Sequence, residues 1–222
     1  VISLVGWFLE YSKVSSLHSQ IENLSSELET RNLQISSLQN KLESYQSLES
    51  EVERLNRKFR NYTQFIKLME KGQEKLQDAF ISYGYANSDY NDASRNYEAY
   101  YFDVCEGYAD SCDVYYGYAY NYFLEAKGYF EYAKKYAPND KLFRLAELYA
   151  SFSDYGAKIT NEMHQACEYF SSACSFYAQG LWESGDEQIE KMNKHIREHD
   201  RLVTSYNEIL SQINALIETL EE

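Results

Sequence analysis

Apolar residues recur every three or four positions along much of this chain, with polar residues between them. The spacing is sustained between positions 189 and 220 and again between positions 59 and 90. Such spacing predicts helices that pack side by side as a coiled coil. Strand signals are essentially absent, so the sequence predicts an all-α protein, an extended coiled coil with a long antiparallel hairpin.

The two apolar stretches are related by a mirror in residue number. Pairs whose numbers add up to 279 are mostly both apolar, for example Ile66 with Ile213 and Leu76 with Val203. The mirror point follows Pro138, which is the only proline in the chain. Two antiparallel helices joined by a turn at this point would produce such a pattern. The sequence therefore predicts a helical hairpin over residues 57–222, with its tip at 137–141.

The four cysteines obey the same mirror. Cys105 and Cys112 are seven residues apart, and so are Cys167 and Cys174, which places each pair on one helix face. Two sulfurs on one helix are about 10 Å apart along its axis, too far for a shared disulfide or zinc ion. We therefore predict the disulfides Cys105–Cys174 and Cys112–Cys167. Four free thiols in a core are the alternative.

The predicted arms are long, and their apolar pattern changes along their length. An arm of about 80 residues would extend for about 120 Å. Small and aromatic residues alternate near the tip, and this allows the close helix approach that disulfides need. The apolar pattern is rephased near residues 90–102 and 177–189, where Gly180 and Gly185 suggest a kink.

Residues 13–56 have no mirror partner, yet they carry an apolar stripe of their own. Its members keep heptad spacing, and Arg31 is the one polar interruption. The stripe consists of Val14, Leu17, Ile21, Leu24, Leu28, Ile35, Leu38, Leu42 and Tyr45. A single helix cannot bury such a stripe, so we expect a stalk of two or three parallel copies. Packing on an unrelated partner is the alternative.

The first residues, 1–12, form an apolar segment. Its mostly apolar run, residues 1–9, is too short to span a bilayer, which needs about 20 residues. Trp7 and Tyr11 before a charged segment are typical of the interfacial end of a transmembrane helix. Val1 is not a start methionine, so we expect the rest of the helix upstream. The alternatives are a buried filament N-terminus, a signal-peptide remnant, or a segment that simply packs within the protein.

Charge and cysteine usage bear on location and partners. The net charge of −14 makes nucleic acid a poor partner. Disulfides are typical of oxidising compartments, so we expect an extracytoplasmic protein anchored at the cell surface, or a secreted filament. Asn23 and Asn61 begin acceptor tripeptides and are candidate glycosylation sites.

One motif suggests metal chemistry. His195, Glu198 and His199 match the H-x-x-E-H pattern of certain zinc proteases. However, His199 belongs to the apolar seam, and a rod offers no cleft for a substrate. We therefore expect no metal, no cofactor and no enzymatic activity.

Tyrosine is the most conspicuous residue type, with 23 in the chain. Six of them share one heptad position beside the predicted seam, and two more extend this tyrosine stripe. Its members are Tyr101, Tyr108, Tyr115, Tyr118, Tyr122, Tyr129, Tyr132 and Tyr136. Tyrosine offers apolar area with a polar tip, which suits interfaces. We expect the stripe to contact a protein partner or a sister subunit. Rings that only flank the core, or a small-molecule site, are the alternatives.

Together these patterns predict a non-enzymatic, membrane-anchored extracytoplasmic stalk or scaffold of a cell-surface or envelope assembly. It would self-associate through residues 13–56 and present the tyrosine stripe to a subunit or partner. Two other classes stay open: a pilus-like filament subunit with a buried apolar N-terminus, and the ectodomain of a surface receptor or sensor.

Overall fold

The computed structural model describes the backbone of residues 2–221 and the side chains of residues 13–220. Helix α1 spans Ile2–Glu98, α2 Phe102–Ala133, α3 Asp140–Ala178 and α4 Trp182–Glu221, and a short 3-10 helix at Lys134–Tyr136 follows α2. No strand occurs within residues 2–221. The predicted all-α class is confirmed. Internal contacts divide the chain into two units, Val1–Arg57 and Lys58–Glu222.

In the second unit, residues 58–98 of α1 pack with α2, α3 and α4 as an antiparallel four-helix bundle. Aromatic contacts join neighbouring helices along its length. The ring centroids of Phe80 in α1 and Phe123 in α2 are 5.6 Å apart. Those of Phe152 in α3 and Tyr206 in α4 are 4.2 Å apart and nearly parallel. The apolar faces of all four helices therefore share one core.

The turn between α2 and α3 lies at the predicted hairpin tip. Pro138 has no backbone N–H and cannot continue the preceding helix. Asn139 takes an extended conformation, and its side chain accepts a hydrogen bond of 2.9 Å from the backbone N–H of Leu142. This N-cap satisfies one of the donors that the first turn of α3 would leave free.

The predicted hairpin arms are not continuous, and the expected 120 Å length is wrong. The chain reverses between α1 and α2 and again between α3 and α4. At the first break Tyr100 has a φ of 62°, and at the second Gly180 has a φ of 76°. Both breaks have the hydrogen bonds of a Schellman motif, the usual way to end a helix with a left-handed residue. They lie within one residue of mirror-related positions, so both arms fold back together.

The core explains why the arms fold back. Every predicted seam position of α2 from Cys105 to Ala133 is buried, and aromatic and small residues alternate along it. Helix α3 buries two faces: one includes Gly156 and Met163, and the other includes Leu148 and Ile159. A two-helix hairpin covers only one of these faces. Burying the second face requires α4 beside α3, which the fold-back provides.

The first unit carries an exposed apolar stripe along helix α1. The side chains of its apolar stripe, and of Leu48, Val52 and Leu55 that follow it, are between 48% and 68% exposed. None of the helical segments searched is both long and apolar enough to cross a membrane. The side chains of residues 1–12, on which the membrane prediction rests, lie outside the described residues.

Candidate interaction surfaces

Two disulfides join α2 to α3, and both were predicted from the residue numbers. Cys105 is bonded to Cys174 and Cys112 to Cys167, with Cα atoms 6.0 and 6.1 Å apart. All four cysteines are fully buried. Ala109 lies between the two cysteines of α2, and Ala166 and Ala173 directly precede those of α3; these small side chains allow the two helices to approach this closely. The disulfides support an oxidising, extracytoplasmic environment.

Part of the tyrosine stripe covers the boundary between α1 and α2. Tyr115 is half-buried, and its ring centroid lies 5.4 Å from that of Tyr85 in α1. The Lys75 ammonium lies 5.0 Å from the ring centroid of Tyr122, and the Lys71 ammonium lies 5.6 Å from that of Tyr129. These rings shield the bundle core while their edges face solvent.

The other part of the stripe is open to solvent. Its exposed members are Tyr101, Tyr108, Tyr118 and Tyr132, whereas Tyr136 is half-buried in the 3-10 helix. Tyr101 lies in the break before α2 rather than on the helix. The eight tyrosines are therefore of two kinds, and the exposed ones are those available to a partner.

A polar network inside the bundle was not foreseen. The Tyr116 side chain is fully buried, and its hydroxyl donates a hydrogen bond of 2.5 Å to Oδ1 of Asn87. Its ring packs edge-on against Tyr83, whose hydroxyl lies 3.4 Å from Nε2 of His199. Burial raises the pKa of Tyr116, and it also raises the pKa of Tyr83 and of Tyr206. These phenols therefore stay neutral and tie α1 to α2 and α4.

The H-x-x-E-H residues do not converge on one point. Nδ1 of His195 lies 2.7 Å from Oε2 of Glu162 in α3, whereas His199 faces Tyr83 in α1. Glu198 accepts hydrogen bonds from Arg201 and is held on the helix surface. Within the described part of the chain, no group of three histidine, cysteine or acidic side chains could hold a metal ion.

The candidate glycosylation sites both lie within α1. Asn23 and Asn61 are exposed, and each is flanked by helix on both sides. Thr63 of the second tripeptide donates its hydroxyl to the carbonyl of Phe59 at 2.9 Å. The acceptor tripeptides that receive glycans are typically found in surface loops, so helix α1 would have to open locally at these sites.

The bundle also contains grooves between its helices. A polar groove of about 550 Å³ runs between α3 and α4 and is lined by Asp154, Lys158 and Arg201. An apolar groove of about 690 Å³ between α1 and α4 is lined by Leu76, Phe80 and other apolar residues.

Comparison with known proteins adds no relative. No protein-family model matches the chain, and neither a curated protein nor a solved structure matches it.

Proposed function

We propose that this protein is a non-enzymatic, membrane-anchored stalk or scaffold in an extracytoplasmic assembly. Residues 13–56 form a parallel coiled coil with other copies of the chain, and the disulfide-linked bundle presents surfaces to partners. The observation that carries the proposal is the exposed apolar stripe of the first unit. Contiguous exposed apolar surfaces on soluble proteins mark interaction sites.

The identity of the stripe residues favours two parallel strands. Heptad position a holds β-branched residues at three of five places, Val14, Ile21 and Ile35, with leucine at the other two, and position d holds leucine at three of five, with Arg31 and Tyr45 at the others. Branched residues at a with leucine at d favour dimers over trimers and tetramers. The flanking e and g positions are mostly Gln, Asn and Ser, so like charges do not oppose the pairing. A second copy of the chain is therefore the occupant that fits this stripe.

The energetics also favour association. Full burial of an aliphatic side chain contributes about 1.5–3 kcal/mol. A dimer buries two copies of a stripe that has nine members between positions 14 and 45. This burial opposes both the association cost of about 4–15 kcal/mol and the entropy lost when each stalk helix becomes ordered. Arg31, at one d position, weakens the dimer but helps to fix its register.

The location and the partner contact rest on separate arguments. The two disulfides support an extracytoplasmic location. The membrane anchor rests on the sequence of residues 1–12 alone. The exposed tyrosines of α2, such as Tyr108 and Tyr118, provide the surface for a subunit or partner.

Sedimentation equilibrium of the whole chain tests the proposal. We expect the wild-type protein to be an oligomer at micromolar concentration, and the Leu24→Glu/Leu38→Glu double variant to be a monomer, since both substitutions place charge in the seam. The matched control is Ser26→Glu/Asn40→Glu, which adds the same charge at outer heptad positions of the helix and should stay oligomeric. A monomeric wild-type chain, or equal dissociation of both variants, would contradict the proposal.

A further inference from the structure

An aromatic cluster closes the end of the bundle where both chain reversals lie. Each helix contributes one ring. The cluster consists of Tyr97 of α1, Phe102 of α2, Tyr177 of α3 and Trp182 of α4. The ring centroid of Tyr177 lies 5.2 Å from that of Phe102, 5.3 Å from that of Trp182 and 5.6 Å from that of Tyr97. Tyr100, in the first break, adds a fifth ring at 5.9 Å from Phe102.

The cluster borders a pocket that has acidic groups in its wall. The pocket has a volume of about 180 Å³ and is lined by the five rings together with Glu98 and Asp186. The Tyr177 hydroxyl donates a hydrogen bond of 2.6 Å to Oδ1 of Asp186. A cavity of about 150 Å³ is large enough for benzene, so this pocket can hold a compact group of similar size.

Tyr100 occupies a backbone position where glycine is the usual residue. It holds the same place in its Schellman motif as Gly180 holds in the other break. Left-handed backbone costs a tyrosine free energy that glycine avoids. The Tyr100 side chain is also 73% exposed, so burial does not offset this cost. Strain of this kind is concentrated at functional sites, and here it holds a ring at the mouth of the pocket.

Closing the core does not require these exposed rings. Tyr177 is the structural member of the cluster, because a Cβ at Gly185 would lie 2.5 Å from its ring. Tyr177 is buried, whereas Trp182 is 53% exposed and Tyr100 is more exposed still. Tyr177 with Phe102 already covers the end of the core. The outer rings are thus left with their faces available to a ligand.

The charges around the rings favour a cation. Elsewhere in the bundle lysine ammonium groups lie over aromatic rings, namely those of Tyr122, Tyr129, Tyr132, Phe143, Tyr155 and Tyr169. Within residues 13–220, no lysine or arginine is found over the rings of this cluster. Two carboxylates and a chain net charge of −14 attract cations to it. Aromatic faces bind such cations through their negative quadrupole.

We propose that this pocket binds a quaternary ammonium group, from a free small molecule or from a lipid head group. A primary ammonium is a compact, strongly hydrated charge that must give up water to lie against rings. The wall of the pocket consists of five rings and two carboxylates, and that of Asp186 already accepts a bond from Tyr177. A methylated ammonium has no N–H to satisfy and presents its charge through methyl groups that fit against rings. The proposal goes beyond the stalk function and does not depend on it.

Calorimetric titration of the whole chain with choline tests the proposal. Saturable binding is expected, and the neutral tert-butyl isostere 3,3-dimethylbutanol should bind at least about tenfold more weakly, because it lacks the charge. Equal binding of the two compounds, or no saturable choline binding, would overturn the proposal.

Two variants locate the site. Trp182→Ala and Tyr100→Gly should each weaken choline binding by about tenfold. The melting temperature of Tyr100→Gly should be unchanged or higher, since glycine relieves the left-handed strain. Tyr132→Ala removes an exposed ring at the other end of α2 and is the matched control, which should bind choline normally. Normal binding by both pocket variants, or equal weakening in the control, would overturn the assignment.

Vesicles distinguish the two sources of the ligand. If the source is a lipid, the chain should bind phosphatidylcholine vesicles and lose that binding in Trp182→Ala. If the source is a free molecule, choline should bind in solution while vesicles of phosphatidylcholine and of phosphatidylglycerol bind equally poorly. Vesicle binding that survives in both pocket variants, without saturable choline binding, would overturn the proposal.

Discussion

At the scale of single residues, Tyr116 is the polar group on which the bundle interior depends most. The fully buried Tyr116 side chain donates its hydroxyl to Oδ1 of Asn87, a side chain that is only half-buried. A pair of this kind contributes modestly when intact, but breaking it leaves one partner without a hydrogen bond. Asn87 interrupts the apolar pattern of α1, and its role as the acceptor for Tyr116 accounts for that interruption.

Replacing Tyr116 by phenylalanine should destabilise the protein by about 0.5–1.5 kcal/mol at neutral pH, because the hydrogen bond to the half-buried Asn87 is lost. The pH dependence has a definite sign. Burial raises the pKa of Tyr116 above its ordinary value of 10.0. Its contribution to stability is therefore complete below pH 10 and is lost as the pH rises further, since the unfolded chain ionises first. The difference between wild type and Tyr116→Phe should shrink above that pH.

Urea unfolding at neutral pH and above pH 10 measures this difference. The control is Tyr118→Phe at an exposed position, which should change the free energy of unfolding little at either pH. A difference between wild type and Tyr116→Phe that widens in alkali would show that the Tyr116 phenol ionises easily in the folded state.

At the scale of helices, glycines decide how closely α2 and α3 approach each other. Gly156 of α3 faces the buried ring of Phe123, and a Cβ there would lie 2.5 Å from the nearest ring atom. Gly128 of α2 has no atom within 4 Å of the equivalent position. The same substitution should therefore have opposite effects at these two sites.

Gly156→Ala should destabilise the bundle by about 1–3 kcal/mol, since the added methyl group overlaps the ring of Phe123 and forces it out of its present packing. Gly128→Ala should stabilise it by about 0.5–1 kcal/mol, because alanine loses less entropy in a helix. Denaturant midpoints with unchanged slopes measure both effects. If both variants stabilised the bundle, the packing around Gly156 would be looser than described.

Much of this arrangement could be predicted from residue numbers alone. The mirror about Pro138 identified the turn and both disulfides, because two antiparallel helices fix which positions face each other. It could not reveal the fold-back. An extended hairpin and one folded at paired breaks both keep α1 beside α4, and the contact of Tyr83 with His199 lies only three residues from the mirror pairing. Only the second buried face of α3, which includes Leu148, distinguishes the two arrangements.

The surfaces were less predictable than the fold. The tyrosine stripe follows one heptad position, yet Lys75 and the edge of α1 cover part of it, and sequence spacing cannot show this. The aromatic cluster at the end of the bundle was hidden because its residues come from four helix ends. Its one local signal was the rephasing of the pattern near residues 90–102 and 177–189, where Tyr100 and Gly180 reverse the chain.

At the scale of the whole molecule, the two units are stabilised by different means. The bundle has its own core and two disulfides that close loops of 69 and 55 residues in sequence separation. One such link contributes roughly 4 kcal/mol in the chain-entropy model, and the second adds less. Residues 13–57 are exposed along the whole segment in a single chain, so their helix depends on association.

Thermal unfolding followed by circular dichroism should therefore show two transitions. The transition of the stalk should move to lower temperature on dilution, because association is a mass-action equilibrium. The midpoint of the bundle transition should not depend on concentration. Cys112→Ala/Cys167→Ala should lower the midpoint of the bundle transition and leave that of the stalk unchanged, since this disulfide constrains only the bundle. The variant Leu24→Glu/Leu38→Glu should abolish the first transition and leave the second in place. A single transition that responds to both dilution and loss of the disulfide would show instead that the two units unfold together.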